Sequence, residues 1–87
     1  MKEYIRRLLL YLLKFDFYLP DYNVCIEFDG RQHFESVIWF GGDSGLEKTK
    51  IRDQIKNDFC KNNNIPLYRI RYDENITERM NEIIKII

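Results

Sequence analysis

Polar and apolar residues alternate most strictly at 24–29, where Val24, Ile26 and Phe28 fall on one side of an extended chain and Cys25, Glu27 and Asp29 on the other. The pattern predicts a strand over 23–29, ended by the turn pair Asp29-Gly30. An apolar and aromatic run at 15–19 predicts a second strand, and Pro20-Asp21-Tyr22-Asn23 between the two reads as a turn. Upstream, Ile5, Leu8, Leu9 and Leu12 make a helical stripe over 2–13, widened by Leu10 and Leu13. That segment is a helix or an irregular lead-in, buried against the sheet or against another subunit. Downstream, 31–45 holds the run Val37-Ile38-Trp39-Phe40, a short strand or an anchored loop, and three of the four glycines. It is expected to be a mobile loop that contacts substrate.

Residues 46–63 predict the clearest helix, with Ser44 and Glu47 at capping-box spacing. Ile51, Ile55 and Phe59 recur at four-residue intervals and define the expected buried face, with Cys60 beside them; Lys48, Arg52 and Lys56 make a parallel basic stripe. Asn62-Asn63-Asn64 ends the helix. Residues 67–72 alternate again, with Leu67, Arg69 and Arg71 sharing a side, and predict a third strand. Asn75 or Thr77 starts a last helix whose Ile76, Met80, Ile83, Ile84 and Ile87 cover something apolar. The order predicts an α/β domain: a mixed sheet carrying helices, with 46–63 as the crossover between parallel strands.

Eighty-seven residues admit a single domain, 1–87, with a thin core. A hydrophobic fraction of 45% with 15% aromatics excludes a disordered chain. Fourteen basic and fourteen acidic side chains cancel, so attraction to a polyanion must come from local patches rather than from net charge. Cys25 and Cys60 lack metal-ligand spacing and read as buried reduced thiols in an intracellular, reducing compartment. The run Leu8–Leu13 is too short to span a membrane and lacks the cleavage site of a signal peptide.

The candidate chemistry lies in the carboxylates. If the first two strands pair across their turn, Asp16 approaches Glu27 and Asp29, and converging acids repel unless a cation neutralises them. Magnesium prefers such oxygen ligands and supports phosphodiester hydrolysis. Asp16, Glu27 and Asp29 are the candidate ligands, with the Phe28 carbonyl able to join them. Equally, Glu27 and Asp29 are the polar half of an exposed ribbon. His33, the single imidazole, is placed to orient or deprotonate water or to touch phosphate, or is structural; Gln32 is a hydrogen-bonding neighbour or a surface residue. Lys48, Arg52 and Lys56 suit a phosphoryl group or a DNA backbone, or form the wet side of their helix. Lys56, next to Ile55 on the buried flank, is the one expected to reach the acids.

Phe15-Asp16-Phe17-Tyr18-Leu19-Pro20, then Ile26-Glu27-Phe28-Asp29-Gly30 through Gln32-His33, then Arg52-Asp53-Gln54-Ile55-Lys56-Asn57-Asp58-Phe59-Cys60 and the strand 67–72 together resemble the PD-(D/E)XK, restriction-endonuclease-like superfamily. Within it the chain looks like the small branch of very-short-patch-repair-type and phage or mobile-element nuclease domains. The resemblance implies a magnesium-dependent endonuclease, manganese substituting, that hydrolyses DNA. It makes Asp16, Glu27 and Asp29 metal ligands, aligns His33 with the histidine after the glycine, and leaves Gln32, Lys48 and Arg52 for the nucleic acid. The usual ExK lysine has no equivalent, because Asp29 stands in its place; Lys56 is expected to supply that charge. Family members also carry a helix and a further strand ahead of Asp16, so the resemblance implies a minimal or N-terminally truncated domain, or one completed by a partner chain such as a second copy through the apolar segment 5–13. The rival expectation is an inactive nucleic-acid-binding or assembly module of the same fold.

Overall fold

The computed structural model describes residues 2–31, 34 and 41–87. They form α1 (Glu3–Leu12), β1 (Phe17–Leu19), β2 (Val24–Asp29), α2 (Gly42–Asn62), β3 (Leu67–Arg71) and α3 (Ile76–Ile86). β2 is the middle strand of a three-stranded mixed sheet in the order β1-β2-β3. β1 pairs with it antiparallel, Phe17 opposite Ile26, and β3 pairs parallel, Glu27 opposite Arg69. The hairpin turn closes through the Tyr22 amide donating to the Leu19 carbonyl at 3.1 Å. Asn23 takes the left-handed conformation there, at φ 53°, and its side chain accepts from the Tyr18 hydroxyl at 2.9 Å.

The alternation of β2 divides the domain into two faces. Val24 and Ile26 join Ile70 of β3 and Ile83 of α3 in one buried cluster, with Leu19, Phe28, Tyr68 and Met80 around it. Cys25 joins Leu10 of α1, Cys60 of α2 and Ile65 in another, flanked by Phe15, Tyr18, Phe59 and Leu67. Helix α3 therefore covers one side of the sheet and α1 with α2 the other. Asn75 starts α3, its side chain accepting from the Glu78 amide at 3.0 Å. Asn64, at φ 55°, turns the chain after α2, and the Ile65 amide returns to the Cys60 carbonyl at 2.9 Å.

The helices differ from the sequence expectation in where they begin and which side they bury. Helix α2 starts at Gly42, four residues earlier than expected, so Ser44 and Glu47 lie inside it and no side chain caps it. Gly41 permits this entry: at φ 93° a side chain would be strained, and its Cβ would stand 3.2 Å from the Gly45 Cα. Ile51 and Ile55, expected in the core, are 54% and 50% exposed; Phe59 and Cys60 of the same expected face do pack into the core, and Asp53 and Lys56 turn toward the sheet with them. In α1 the core residue is Leu10, while Ile5, Leu8 and Leu12 of the expected stripe are exposed. In α3, Ile83 is buried and Met80 half-buried, but Ile76, Ile84 and Ile87 face outward. The expected loop 31–45 lies mostly outside the described residues, and its last glycines belong to the start of α2. Among the described residues no helix is long and apolar enough to cross a membrane.

Candidate functional site

Asp16 stands one residue ahead of β1, beside the middle of β2. Its amide donates to Glu27 Oε1 at 2.8 Å, and its Oδ2 accepts from the Phe28 amide at 2.7 Å. Each carboxylate is thus tied through one oxygen to the backbone of the other strand, and the pair is set by the hairpin register rather than by flexible side chains. Glu27 is 2% exposed, a burial that would be costly for an isolated charge. Its compensation comes from α2: Lys56 Nζ donates to Glu27 Oε2 at 3.0 Å. The same ammonium donates to the Lys14 carbonyl at 3.3 Å and lies 5.4 Å from the centre of the Phe15 ring. Three groups distant in sequence therefore meet at one point.

That point opens into a cleft of about 650 Å³ between β2 and the first half of α2. Asp16, Glu27 and Lys56 line its floor, and Lys48, Arg52 and Asp53 line the helix side. Lys48 and Arg52 are exposed and line the cleft, on the basic stripe that spacing predicts. A ligand entering the cleft would meet the cations Lys48, Arg52 and Lys56 together with the carboxylates Asp16, Glu27 and Asp53, a mixed lining that suits a phosphodiester bridged by a hard metal ion.

Asp29 goes elsewhere. It shares the α2 side of the sheet with Glu27, but its Oδ1 accepts from Arg69 Nη1 at 2.8 Å, and it does not line the cleft. Among the described residues no three His, Cys, Asp or Glu side chains converge as a metal-binding group. Asp16 and Glu27 thus line the cleft, while Asp29, two residues along the same strand, pairs with the arginine that β3 places beside it. Gln32 and His33 lie outside the described residues.

No family model matches the chain, and no solved structure matches it. It is similar to the uncharacterized protein 307L of Invertebrate iridescent virus 6, with 28% identity over 61 residues. The match covers 69% of this chain and 31% of that protein, so the chain spans about a third of that relative's length.

Two features of the site escape a reading by periodicity. Arg69 reaches across to α2, where Nε and Nη2 donate to Asn57 Oδ1 at 3.1 and 2.9 Å, Nη2 donates to the Asp53 carbonyl at 3.3 Å, and Nη1 lies 3.6 Å from Asp53 Oδ1. The signal was present: two acids at period two on β2 and two arginines at period two on its neighbour are complementary once the strands pair in parallel. The second feature is the thiol pair. Cys25 and Cys60 are free and buried against each other across the same interface. The neighbouring Cys60 thiol and burial together push the Cys25 thiol well above its ordinary pKa.

Proposed function

We propose that the chain is a metal-dependent endonuclease domain of the restriction-endonuclease-like kind, hydrolysing DNA phosphodiester bonds with magnesium. The observation that carries this reading is the meeting of Asp16, Glu27 and Lys56 at the floor of a cleft whose other wall holds Lys48 and Arg52. Lys56 approaches Glu27 from the helix, so the positive charge missing from β2 arrives by another route.

The donor set suits magnesium. This ion keeps several of its waters and takes only one or two carboxylates from a protein, which Asp16 and Glu27 provide. A zinc-like site would need a fuller protein set. When bound, magnesium would supply a water of lowered pKa and neutralise charge on a phosphoryl oxygen. Asp16 and Glu27 would hold it, and their mutual backbone hydrogen bonds fix the spacing before any ligand arrives. Lys56 would balance the charge that develops on the phosphate as the bond breaks. Lys48 and Arg52 would seat the flanking phosphates of the strand. An inactive nucleic-acid-binding module remains the rival, favoured by zero net charge and by the pairing of Asp29 with Arg69.

The test is cleavage of supercoiled, branched and mismatched DNA by the purified chain, with magnesium or manganese against EDTA. Metal-dependent cutting is expected, falling by roughly a hundredfold or more in Asp16→Asn and in Glu27→Gln, substitutions that keep the size of each side chain and remove its charge. Binding to these DNAs without cutting would instead favour the rival.

A further inference from the structure

Strand β2 and helix α2 meet rung by rung. Two residues along a strand advance about 6.6–6.8 Å, and four residues along a helix about 6 Å, so alternate residues of the strand keep step with successive turns of the helix. Cys25 meets Cys60, Glu27 meets Lys56, and Asp29 meets Asp53 and Asn57 through Arg69. Only the first of these contacts is apolar. Ile51 and Ile55, which could have anchored the helix by burial, face away from the sheet. Toward its N-terminal half, α2 is therefore held to the sheet by charge.

On these grounds we propose that Arg69 is a positioning residue: it fixes the rotation and height of α2 so that Lys56 arrives at Glu27, with Asp29 as its anchor in the sheet. The inference rests on the reading of Asp16, Glu27 and Lys56 as the working site. Lys56 lies between two fixed points, the Cys60 contact on the C-terminal side and the Arg69 contacts to Asp53 and Asn57 on either side of it in the chain. A planar guanidinium can hold Asp29 with one nitrogen and Asn57 with two others at once; an ammonium cannot span that fork. Lysine itself is long and rotatable, so the 3.0 Å contact with Glu27 requires its helix to be held. Arg69, 21% exposed and set back from the cleft lining, has no access of its own to a ligand there.

The simpler view is that Arg69 only neutralises the buried Asp29. Asn57→Ala separates the two, because it leaves the Arg69–Asp29 pair whole and removes, at an exposed position, the two shortest of the helix-side contacts, with only the longer ones to Asp53 left. Arg69→Lys keeps the charge but loses the fork. Arg71→Lys, at an exposed arginine paired with Asp73, is the control. The readout is the Lys56 side-chain Hε resonance in the metal-free full chain, which the nearby Phe15 ring shifts from the position of an exposed lysine such as Lys85. In Asn57→Ala and Arg69→Lys that resonance is expected to move at least halfway toward Lys85 while the dispersed amide spectrum is retained, and in Arg71→Lys to stay. A Lys56 resonance unmoved in folded Asn57→Ala would overturn the proposal. The readout needs no turnover, so the two readings fail separately: a moved Lys56 in a chain that never cuts DNA keeps the positioning role and removes the nuclease.

Discussion

On one side of β2, Val24 and Ile26 meet Ile70 and Ile83; on the other, Cys25, Glu27 and Asp29 meet Cys60, Lys56 and Arg69. Both faces bury their side chains, yet they do different work. A fully buried isoleucine contributes about 1.5–3 kcal/mol by leaving water, so the α3 face is a direct source of stability. A buried ion pair spends much of its attraction on desolvation. The α2 face is therefore held less by gain than by the penalty for leaving a partner unpaired, and that same concentration of charge is what a phosphate chemistry would use.

Substitutions can break or sharpen this contrast. The largest effect is expected at Ile83→Ala, about 2–5 kcal/mol lost in urea denaturation, with any magnesium binding per folded molecule unchanged. Next comes Lys56→Met, which leaves Glu27 buried without its cation and should cost about 3 kcal/mol, at the low end for a broken buried pair. Adding Glu27→Leu to it should return stability to within about 1 kcal/mol of the parent by the same reasoning, while abolishing any cleavage. A double variant as unstable as the single one would mean that the ionic face stabilises in its own right. Ile55→Ser should change the denaturation midpoint little, within about 0.5 kcal/mol, because this isoleucine points to solvent; a larger loss would return Ile55 to a core.

The smallest effect belongs to the rim. Arg6 and Arg7 hydrogen-bond to Glu3 and hold its carboxylate below the usual value of 4.5. A depressed folded-state pKa adds stability above the unfolded value and loses it as pH falls through the folded one. Parent and Glu3→Gln should therefore differ slightly in midpoint at pH 7 and converge below about pH 4.5, as followed by circular dichroism.

Much of the sheet was legible because β2 alternates so strictly: the opposed faces of Val24 and Glu27, the hairpin that brings Asp16 to Glu27, and the reach of Lys56 all follow from period and spacing. The Asn75 cap was legible for the same reason, a local rule with a local partner. The burial of α2 was legible only at its C-terminal end, in Phe59 and Cys60. Ile51, Ile55 and Phe59 look like a core stripe, but that reading assumes an apolar sheet beneath the helix, and this sheet presents Glu27 and Asp29 instead. Once the strand carries acids inward, the helix must answer with Lys56 and leave its isoleucines outside. The pairing of Asp29 with Arg69 was not legible, because spacing along one strand says nothing about the arginine on the next.

The parallel pairing of β2 with β3 also orders events in time. The β1–β2 hairpin joins neighbours in sequence and can close within about 1–10 μs. Its other edge must wait for a strand on the far side of α2, a longer loop closure that slows folding. Asp16 and Glu27 can thus find each other early, whereas Asp29 meets Arg69 only when β3 docks. The carboxylate pair thus depends on a local closure and the Asp29–Arg69 pair on a distant one, so a nascent chain carries everything the first needs before β3 has been made.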